Sequence, residues 1–332
     1  MVYGYLVSLV AEKLLEYLDP VDELGKVVGE LVSSGVTGLA SMDAGRWLVY
    51  RLARLYSESG EVLPRIALYP GLWLLDIPTV GVFSCSGSLS VCGIKLYADG
   101  SLGARTAWLR EPYHDAPWTC GKPYMAEDKL TTLVSKALSA GLRVAVHAIG
   151  DAALDLVLQV YQSLGCRECR IEHASLAHRD HWAAMLRLGV WAVVQPGFLV
   201  HDTWLSKRLG RERAGIAYQW RAMLDAGVKL AIGSDAPVEP YDPLWNLDAI
   251  TSGGENPHLS RSPGVPLQHA LHMYTRAAAK AIGWNNVGCL EQGCRADLVV
   301  FSDNPFEQPK GELKDNIEIV GVAVDGKWAK YT

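Results

Sequence analysis

The sequence predicts an α/β protein in which parallel strands and amphipathic helices alternate to form a (β/α) barrel. Two observations carry this prediction. Short runs of apolar and β-branched residues recur along most of the chain, and the segments between them have helical periodicity. Strands that alternate with helices form βαβ units and a parallel sheet. At 332 residues, the chain has the length of a single barrel of this kind.

Seven segments have the continuous apolar composition of parallel strands that are buried on both faces. They are VTGLASM (36–42), RIALYP (65–70), VCGIKLYA (91–98), LRVAVHA (142–148), CRIEHA (169–174), VWAVVQP (190–196) and VKLAIGS (228–234). A closed barrel needs eight strands, so the count is one short. Between the strands, DAALDLVLQVYQSLG and EDKLTTLVSKALSAG have the apolar spacing of one helix face.

The pattern changes after Ile282. There, GCRADLVVFSDNPF and IEIVGVAVDGKWAKY indicate short antiparallel strands, with turns at 303–305 and 325–326. We therefore predict an incomplete barrel over residues 1–285 and a small β appendage over residues 286–332.

The composition excludes several classes of protein. Apolar residues make up 49% of the chain and charged residues 20%, which suits a well-buried core. The net charge is −5 and the sequence has no basic run, so no nucleic-acid partner is expected. No segment reaches the roughly 20 apolar residues of a membrane span. The first 20 residues, which we predict to form an amphipathic helix, contain Glu12, Lys13 and Glu16 and do not resemble a secretory signal. We expect a cytoplasmic protein with a small-molecule substrate and no membrane partner.

The seven cysteines are too scattered for a secreted disulfide scaffold. Cys166 and Cys169 form the only closely spaced pair, immediately before a predicted strand. A zinc site would need a second pair of ligands nearby. Two interpretations stay open: the pair has an incidental structural role, or it forms a local disulfide.

Four residues that can bind a metal lie at or near the carboxyl ends of predicted strands. They are Lys95, His147, His173 and Asp235. In a (β/α) barrel this end of the strands forms the mouth, where active sites are built. Imidazoles from neighbouring strands would lie close enough to share a zinc ion. The alternative for each histidine is an ordinary core or surface position.

Asp235 and Lys95 each have a catalytic and a structural interpretation. Asp235 could bind a metal and accept a proton from water, or it could cap the following helix. Lys95 lies in an apolar run, where a lysine must be neutralised or paired. It could react with CO₂ to form a carbamate that binds metal, or it could pair with Asp99. GxSxG, HExxH, P-loop and GxGxxG motifs are all absent from the sequence.

The segment from Asp99 to Tyr124 is rich in Gly, Pro and Trp and has little periodicity. A loop of this length in a compact domain is usually functional. Because it directly follows the strand that carries Lys95, we expect it to lie over the barrel mouth.

Together, several long segments resemble the YtcJ-like branch of the amidohydrolase superfamily, often called amidohydrolase family 3. The resemblance extends from about Gly35 to the C-terminus. The segments are IKLYADGSLGARTAWLREPYHD (94–115), VAVHAIGDAALDLVL (144–158), RIEHASL (170–176), RLGRERAGIAYQWRAMLDAGVKLAIGSDAPVEPYDPL (208–244) and GCLEQGCRADLVVFSDNP (288–305). The resemblance implies a metal-dependent hydrolase that acts on carbon–nitrogen bonds in non-peptide amides through a metal-activated water.

The resemblance also implies roles for individual residues. Lys95 corresponds to a carboxylated ligand on strand four, and His147 and His173 correspond to ligands on strands five and six. Asp235 corresponds to the strand-eight carboxylate that binds metal and serves as general base. Asp99 and Arg105, in the loop DGSLGART, would form part of the substrate-side wall. His201, in the loop after VWAVVQP (190–196), could also reach the mouth.

One departure from the family is large. Family members have a β-sandwich segment and a strand with His-x-His before the matched region, and this sequence contains no His-x-His. We therefore expect a TIM-like (β/α) barrel of metal-dependent hydrolases that lacks its first strand, with part of a small β-sandwich at the C-terminus.

The missing pair changes the expected metal content and leaves a second interpretation open. Lys95, His147 and His173 would retain one zinc or other divalent metal, where complete members hold two. The alternative is a catalytically inactive truncated barrel that binds or regulates, or that needs a separate N-terminal piece. Exposed strand edges would favour self-association.

Overall fold

The structure is a computed structural model that describes residues 21–76, 85–253 and 264–331. The seven predicted strands are confirmed, and a short eighth segment, Leu89–Val91, precedes the third of them. The barrel strands are β1 Gly38–Ala44, β2 Arg65–Pro70, β3 Leu89–Val91, β4 Gly93–Tyr97, β5 Arg143–Ala148, β6 Arg170–His173, β7 Trp191–Val194 and β8 Lys229–Ile232. The predicted helix over residues 1–20 lies outside the described residues.

Helices alternate with these strands, as the periodicity predicts. Those of the first part of the chain are Val21–Ser33, Arg46–Glu58, Glu127–Ser139, Asp151–Ser163 and Arg179–Leu188. Those of the second part are Gly197–His201, Leu205–Ala214, Trp220–Asp225, Pro243–Ser252, Leu267–Tyr274, Arg276–Ile282 and Leu313–Asn316. Two short 3₁₀ helices are Leu72–Asp76 and Pro305–Glu307. None of the described helices is long and apolar enough to cross a membrane.

The barrel strands pair in parallel in two hydrogen-bonded groups, β1-β2-β3 and β4-β5-β6-β7-β8. Cys92, between β3 and β4, joins the groups: its N–H donates to Leu68 O at 2.9 Å, and its carbonyl accepts from Arg143 N at 3.0 Å. The order is therefore continuous from β1 to β8. Within the described ranges, no ladder joins β1 to β8, so hydrogen bonds do not close the barrel.

The two faces of the sheet carry different residues. The face toward the helices is apolar and contributes Leu96, Val146 and Ile171 to the largest core cluster. The inner face carries two rows of paired residues across β4, β5 and β6. The first row is Lys95, Ala145 and Arg170. The second row, two residues nearer the carboxyl ends of the strands, is Tyr97, His147 and Glu172. The inner face near the strand ends is therefore polar.

The helix Arg276–Ile282 covers another part of the inner face. Its alanines pack against Trp191, Val193 and Ala231 of β7 and β8. Ala279 and Ile282 pack against residues of β2 and β5. Its small side chains allow this helix to approach four strands closely. Within the described residues, the helix does not cover the polar residues of the inner face, which are therefore available for a site.

The C-terminal segment forms an antiparallel sheet, as predicted. Its strands are β9 Leu298–Phe301, β10 Ile319–Val324 and β11 Lys327–Tyr331, in the order β11-β10-β9. Asp325 and Gly326 both have positive φ, as a type I′ hairpin turn requires. The sheet is tied to the barrel by a buried ion pair, in which Arg65 Nε lies 2.8 Å from Asp297 Oδ2.

Six of the seven cysteines form disulfides between residues that are close in sequence. The pairs are Cys85–Cys92, Cys166–Cys169 and Cys289–Cys294. The close pair at 166 and 169 is therefore a local disulfide and does not form a zinc site.

Candidate active site

The four predicted site residues lie on, or shortly after, four different strands. Lys95 is on β4 and His147 on β5, while His173 ends β6 and Asp235 follows β8 by three residues. Tyr97, two residues after Lys95, pairs with His147, so Lys95 lies one step further down the inner face than His147. The charges of Lys95 and Asp235 affect each other's pKa, which places both groups in one electrostatic environment.

His147 is a neutral imidazole whose side chain is 12% exposed. Its Nε2 lies 2.9 Å from the carbonyl oxygen of Gly100, and a carbonyl can only accept. Nε2 therefore carries the proton, and the lone pair is on Nδ1. Burial and the nearby charge of Lys95 lower the pKa of His147 to about 3. The ring is neutral at pH 7, which is the form that binds metals.

His173 reaches the site because the backbone turns at the end of β6. By strand alternation it would share the face of Ile171, toward the helices. The φ angles of His173 (78°) and Ala174 (47°) are in the left-handed region and end the strand. The ring consequently packs edge-on against His147, with 4.4 Å between ring centroids.

The Nδ1 atom of His173 is buried and has no hydrogen-bond partner within the described residues. A buried polar atom without a partner is costly, so such atoms are rare in folded proteins. Burial, together with His147 and Lys95, holds the pKa of His173 well below its usual value. An uncharged ring with an unpartnered nitrogen is the arrangement expected of a metal ligand.

Lys95 is 5% exposed, and burial is the main cause that lowers its pKa. The charges of Glu172 and Asp235 oppose this effect. The alternative pairing of Lys95 with Asp99 is wrong, because the described side chains contain no such ion pair. The carboxylate of Asp99 instead contacts His147, with 3.4 Å between Oδ1 and Nε2.

Asp235 occupies a tight turn after β8 and does not cap a helix. Its φ is 62°, and its carbonyl accepts from Val238 N at 2.9 Å. The next helix, Pro243–Ser252, is capped by Asp242, whose Oδ1 accepts from Leu244 N at 3.0 Å. Burial raises the pKa of Asp235 to about 6, although Lys95 lowers it. The capping alternative is therefore wrong.

The long loop after β4 is held by its own charged residues. Asp99 is fully buried, and its carboxylate accepts from the backbone N–H groups of Trp108, Ile149 and Gly150 at 2.8, 3.0 and 2.8 Å. Arg105 forms a two-pronged ion pair with Asp115, at 3.0 and 2.8 Å. The contacts that the structure describes for Asp99 and Arg105 therefore anchor the loop. That these two residues line the substrate side of the site stays a prediction.

Four further charged or polar residues of this environment, Asp43, Tyr97, Glu172 and Arg170, are not predicted from the sequence. Asp43 is the next-to-last residue of β1, has a φ of 53° and accepts from the Tyr97 hydroxyl at 3.3 Å. Glu172 is buried beside His173, and its Oε1 lies 2.8 Å from Arg170 Nε. A signal for Asp43 was available, because it is an acidic residue at the carboxyl end of a predicted strand.

Not every group of metal-ligating residues lies at the mouth. Among the described residues, one set of three such side chains has all its ligand atoms within 4.8 Å: Asp155, Asp180 and His181. Arg110 Nη2 lies 2.5 Å from Asp155 and 2.7 Å from Asp180, so a guanidinium already neutralises this set. His147, His173 and Asp235 do not form a set this compact.

Comparison with known proteins decides the family. A model described as the amidohydrolase family matches residues 77–329. The chain belongs to the amidohydrolase family. Among its relatives, YtcJ of Bacillus subtilis is 34% identical over 244 residues, which cover 70% of this chain and 46% of YtcJ. The N-substituted formamide deformylase of Arthrobacter pascens is 30% identical over 220 residues, 62% of this chain and 40% of that enzyme.

A solved structure confirms the fold class of this amidohydrolase-family chain. An uncharacterized metal-dependent hydrolase from Pyrococcus horikoshii superposes with a TM-score of 0.84 and is 33% identical. The match covers 91% of this chain and 64% of that chain. The chain spans about half the length of the curated relatives it matches.

Proposed function

We propose that this chain is a metal-dependent hydrolase that cleaves carbon–nitrogen bonds in non-peptide amides. The observation that carries the proposal is the edge-on pair of neutral imidazoles at neighbouring strand ends, the buried His173 and the largely buried His147. The unpartnered Nδ1 of His173 supports a role as ligand. The family, and the description of the Pyrococcus structure as a metal-dependent hydrolase, support a divalent metal.

The residues present fit one divalent cation. His147, His173 and Lys95 would hold it, and three protein ligands with one open position are typical of catalytic zinc. We propose zinc because imidazole is among its preferred ligands. When bound, the cation would lower the pKa of a water molecule and polarise an amide carbonyl.

Lys95 would join the ligands as a carbamate. Burial lowers its pKa and so favours the neutral amine, whose nitrogen attacks CO₂ and releases a proton to solvent, so that the side chain ends in a carboxylate. The product has oxygen ligands and a negative charge, which a divalent cation would offset. This cation would also relieve the repulsion between the carbamate and Glu172.

Asp235 would move the proton. Its carboxylate, held on the turn after β8, would accept a proton from the attacking water and donate it to the departing nitrogen. Asp99 would act as a positioning residue, because it connects the end of β5, which carries His147, to the loop above the mouth. The name of the Arthrobacter relative, a formamide deformylase, supports a small N-substituted amide as the substrate class.

Elemental analysis tests the metal site. The purified chain, prepared with zinc and bicarbonate, should contain about one zinc per chain. His147→Ala should lose it, whereas His269→Ala, at an exposed histidine of the helix Leu267–Tyr274, should retain it. A chain without zinc, or one that keeps its zinc in His147→Ala, would contradict the site.

Release of formate from N-butylformamide tests the reaction separately. A zinc-loaded chain that releases none would retain the site but not the proposed hydrolysis.

A further inference from the structure

A second histidine–carboxylate pair lies on the β7–β8 side of the mouth. His201 ends the helix Gly197–His201, which follows β7, and Glu239 lies in the loop after β8. His201 Nδ1 and Glu239 Oε2 are 2.5 Å apart. The side chain of Glu239 is 5% exposed, whereas that of His201 is 51% exposed. The proposed hydrolysis uses neither residue.

The fold brings Glu239 to this position through close packing. A Cβ at Gly197 would lie 2.3 Å from Glu239 Oε2, so only glycine leaves room for the carboxylate. Glu239 is also the residue that follows a tight turn, in which the N–H of Val238 donates to the carbonyl oxygen of Asp235. The residue that would move the proton and the residue that holds His201 are therefore on the same short loop. In agreement with this, Glu239 raises the pKa of Asp235.

The short helix links His201 to the metal site in a similar way. Phe198, one turn before His201, lies 6.0 Å from His173 between ring centroids. On the other side, the ring of His201 stacks on Trp245, at 5.6 Å and 23°. The imidazole is thus held by a carboxylate at Nδ1 and by an aromatic face, while half of it is open to solvent.

This arrangement suits recognition of a ligand better than structural support. Since a carboxylate can only accept, Nδ1 carries a proton, and Nε2 on the opposite edge accepts while the ring is neutral. In the imidazolium form both nitrogens donate, one to Glu239 and one outward. The neighbouring Val200 and Val238 are 39% and 67% exposed, which gives the surroundings an apolar rim. In the imidazolium form, this outward donor beside apolar side chains can bind a carboxylate at the end of an alkyl chain.

We propose that His201, as an imidazolium held by Glu239, is a specificity-determining residue that donates a hydrogen bond from Nε2 to a carboxylate on the substrate. The carboxylate would be carried by the substituent that projects from the mouth, so the preferred substrates are amides with an acidic tail. This proposal rests on the proposed function for the identity of the scissile bond, but recognition of the tail can be measured without turnover.

The test uses two formamides that differ in one group. 4-Formamidobutanoate carries a carboxylate where N-butylformamide carries a methyl group. Their dissociation constants would be measured by titration calorimetry on the zinc-loaded chain with Asp235→Asn, which slows turnover about 10²- to 10⁴-fold. The carboxylate probe should bind about 10- to 100-fold more tightly, the range for one hydrogen bond to a charged group. In His201→Phe, which keeps the stacking on Trp245, this ratio should fall to about one.

Three further variants separate recognition from folding. His201→Gln keeps a donor and should retain part of the ratio, while Glu239→Gln should reduce it because the ring loses its charged partner. His269→Phe, the same change at an exposed histidine elsewhere, should leave it unchanged. Equal affinities for the two probes before substitution, or an undiminished ratio in His201→Phe, would overturn the proposal. If the ratio behaves as expected but no formate is released, the hydrolysis fails and the recognition stands.

Discussion

Two groups of histidines and carboxylates in this protein look alike by composition and differ in how their charge is compensated. The mouth group is Lys95, His147, His173 and Asp235. The Arg110 group is Arg110, Asp155, Asp180 and His181. In the Arg110 group every ligand atom has a partner, and the carboxylates have lowered pKa values, with Arg110 hydrogen bonds as a main cause. In the mouth group the histidines are neutral and one nitrogen has no partner.

The difference shows that proximity alone is a poor criterion for a metal site. The Arg110 group is the more compact of the two, yet a guanidinium fills it and its acids are largely exposed. In the mouth group, Lys95 and His173 are buried. The pKa of Asp235 is raised, whereas the pKa values of the two acids of the Arg110 group are lowered. A site that lacks a compensating charge is one that an added cation would stabilise.

Substitution of one histidine in each group should give the largest contrast. His173→Ala removes a buried ligand and should reduce zinc to background, whereas His181→Ala should leave the zinc content unchanged. Elemental analysis of both variants, prepared together, measures the difference. Equal loss of zinc in the two variants would mean that the Arg110 group also binds the metal.

Asp235→Asn should separate proton transfer from metal binding within the mouth group. The amide cannot accept a proton, so turnover of a cleaved amide should fall about 10²- to 10⁴-fold. Zinc should remain, because the two histidines and Lys95 are unchanged. Formate release and zinc content from the same preparation test this, and joint loss of both would make Asp235 chiefly a ligand.

Asp202 extends the comparison to a buried acid that has a hydrogen bond but no cation. Burial raises its pKa to about 6, although the Tyr218 hydroxyl donates to its Oδ2 at 2.5 Å. A carboxyl whose folded-state pKa is raised binds more protons when folded, so stability falls as pH rises from the unfolded value of 3.8 through about 6.

Asp202→Asn should remove this pH dependence. Relative to the unsubstituted chain, the variant should gain about 1 to 2 kcal/mol of unfolding free energy between pH 5 and pH 8. Urea unfolding at the two pH values measures it. Parallel changes in both proteins would contradict a buried ionising Asp202.

The strands and the histidines of the mouth group were predictable from the sequence for physical reasons. Parallel strands that are buried on both faces need continuous apolar runs, and a polar residue that ends such a run must lie at the barrel mouth. His147 follows this rule directly. The inner-face rows also follow from alternation once the strands are known.

Other features of the site depend on contacts that sequence patterns do not record. His173 reaches the mouth only because its φ is positive, which no neighbouring residue signals. Asp235 and Asp242 both precede a helix in the sequence, and only the structure shows that Asp242 caps it. The hydrogen-bond partners of Asp99 are not predictable from the sequence, because its three backbone N–H donors come from two separate loops.

Arg110→Ala should make the Arg110 group able to bind a metal, as we expect of the mouth group. Of the effects considered, its effect on stability should be the smallest. Asp155, Asp180 and His181 would keep ligand atoms within 4.8 Å of one another but lose the cation between them. The free energy of unfolding should fall by about 1 kcal/mol, as for an exposed ion-pair network. At excess zinc, the variant should bind an additional ion that the unsubstituted chain does not.

Arg187→Ala is the control. Arg187 lies on the same helix as His181 and donates a hydrogen bond to Gln162 at 3.2 Å, and its substitution should add no zinc ion. Calorimetric titration with zinc measures the number of ions bound per chain. An unchanged number in Arg110→Ala would show that the charge of Arg110 is not what prevents zinc from binding to this group.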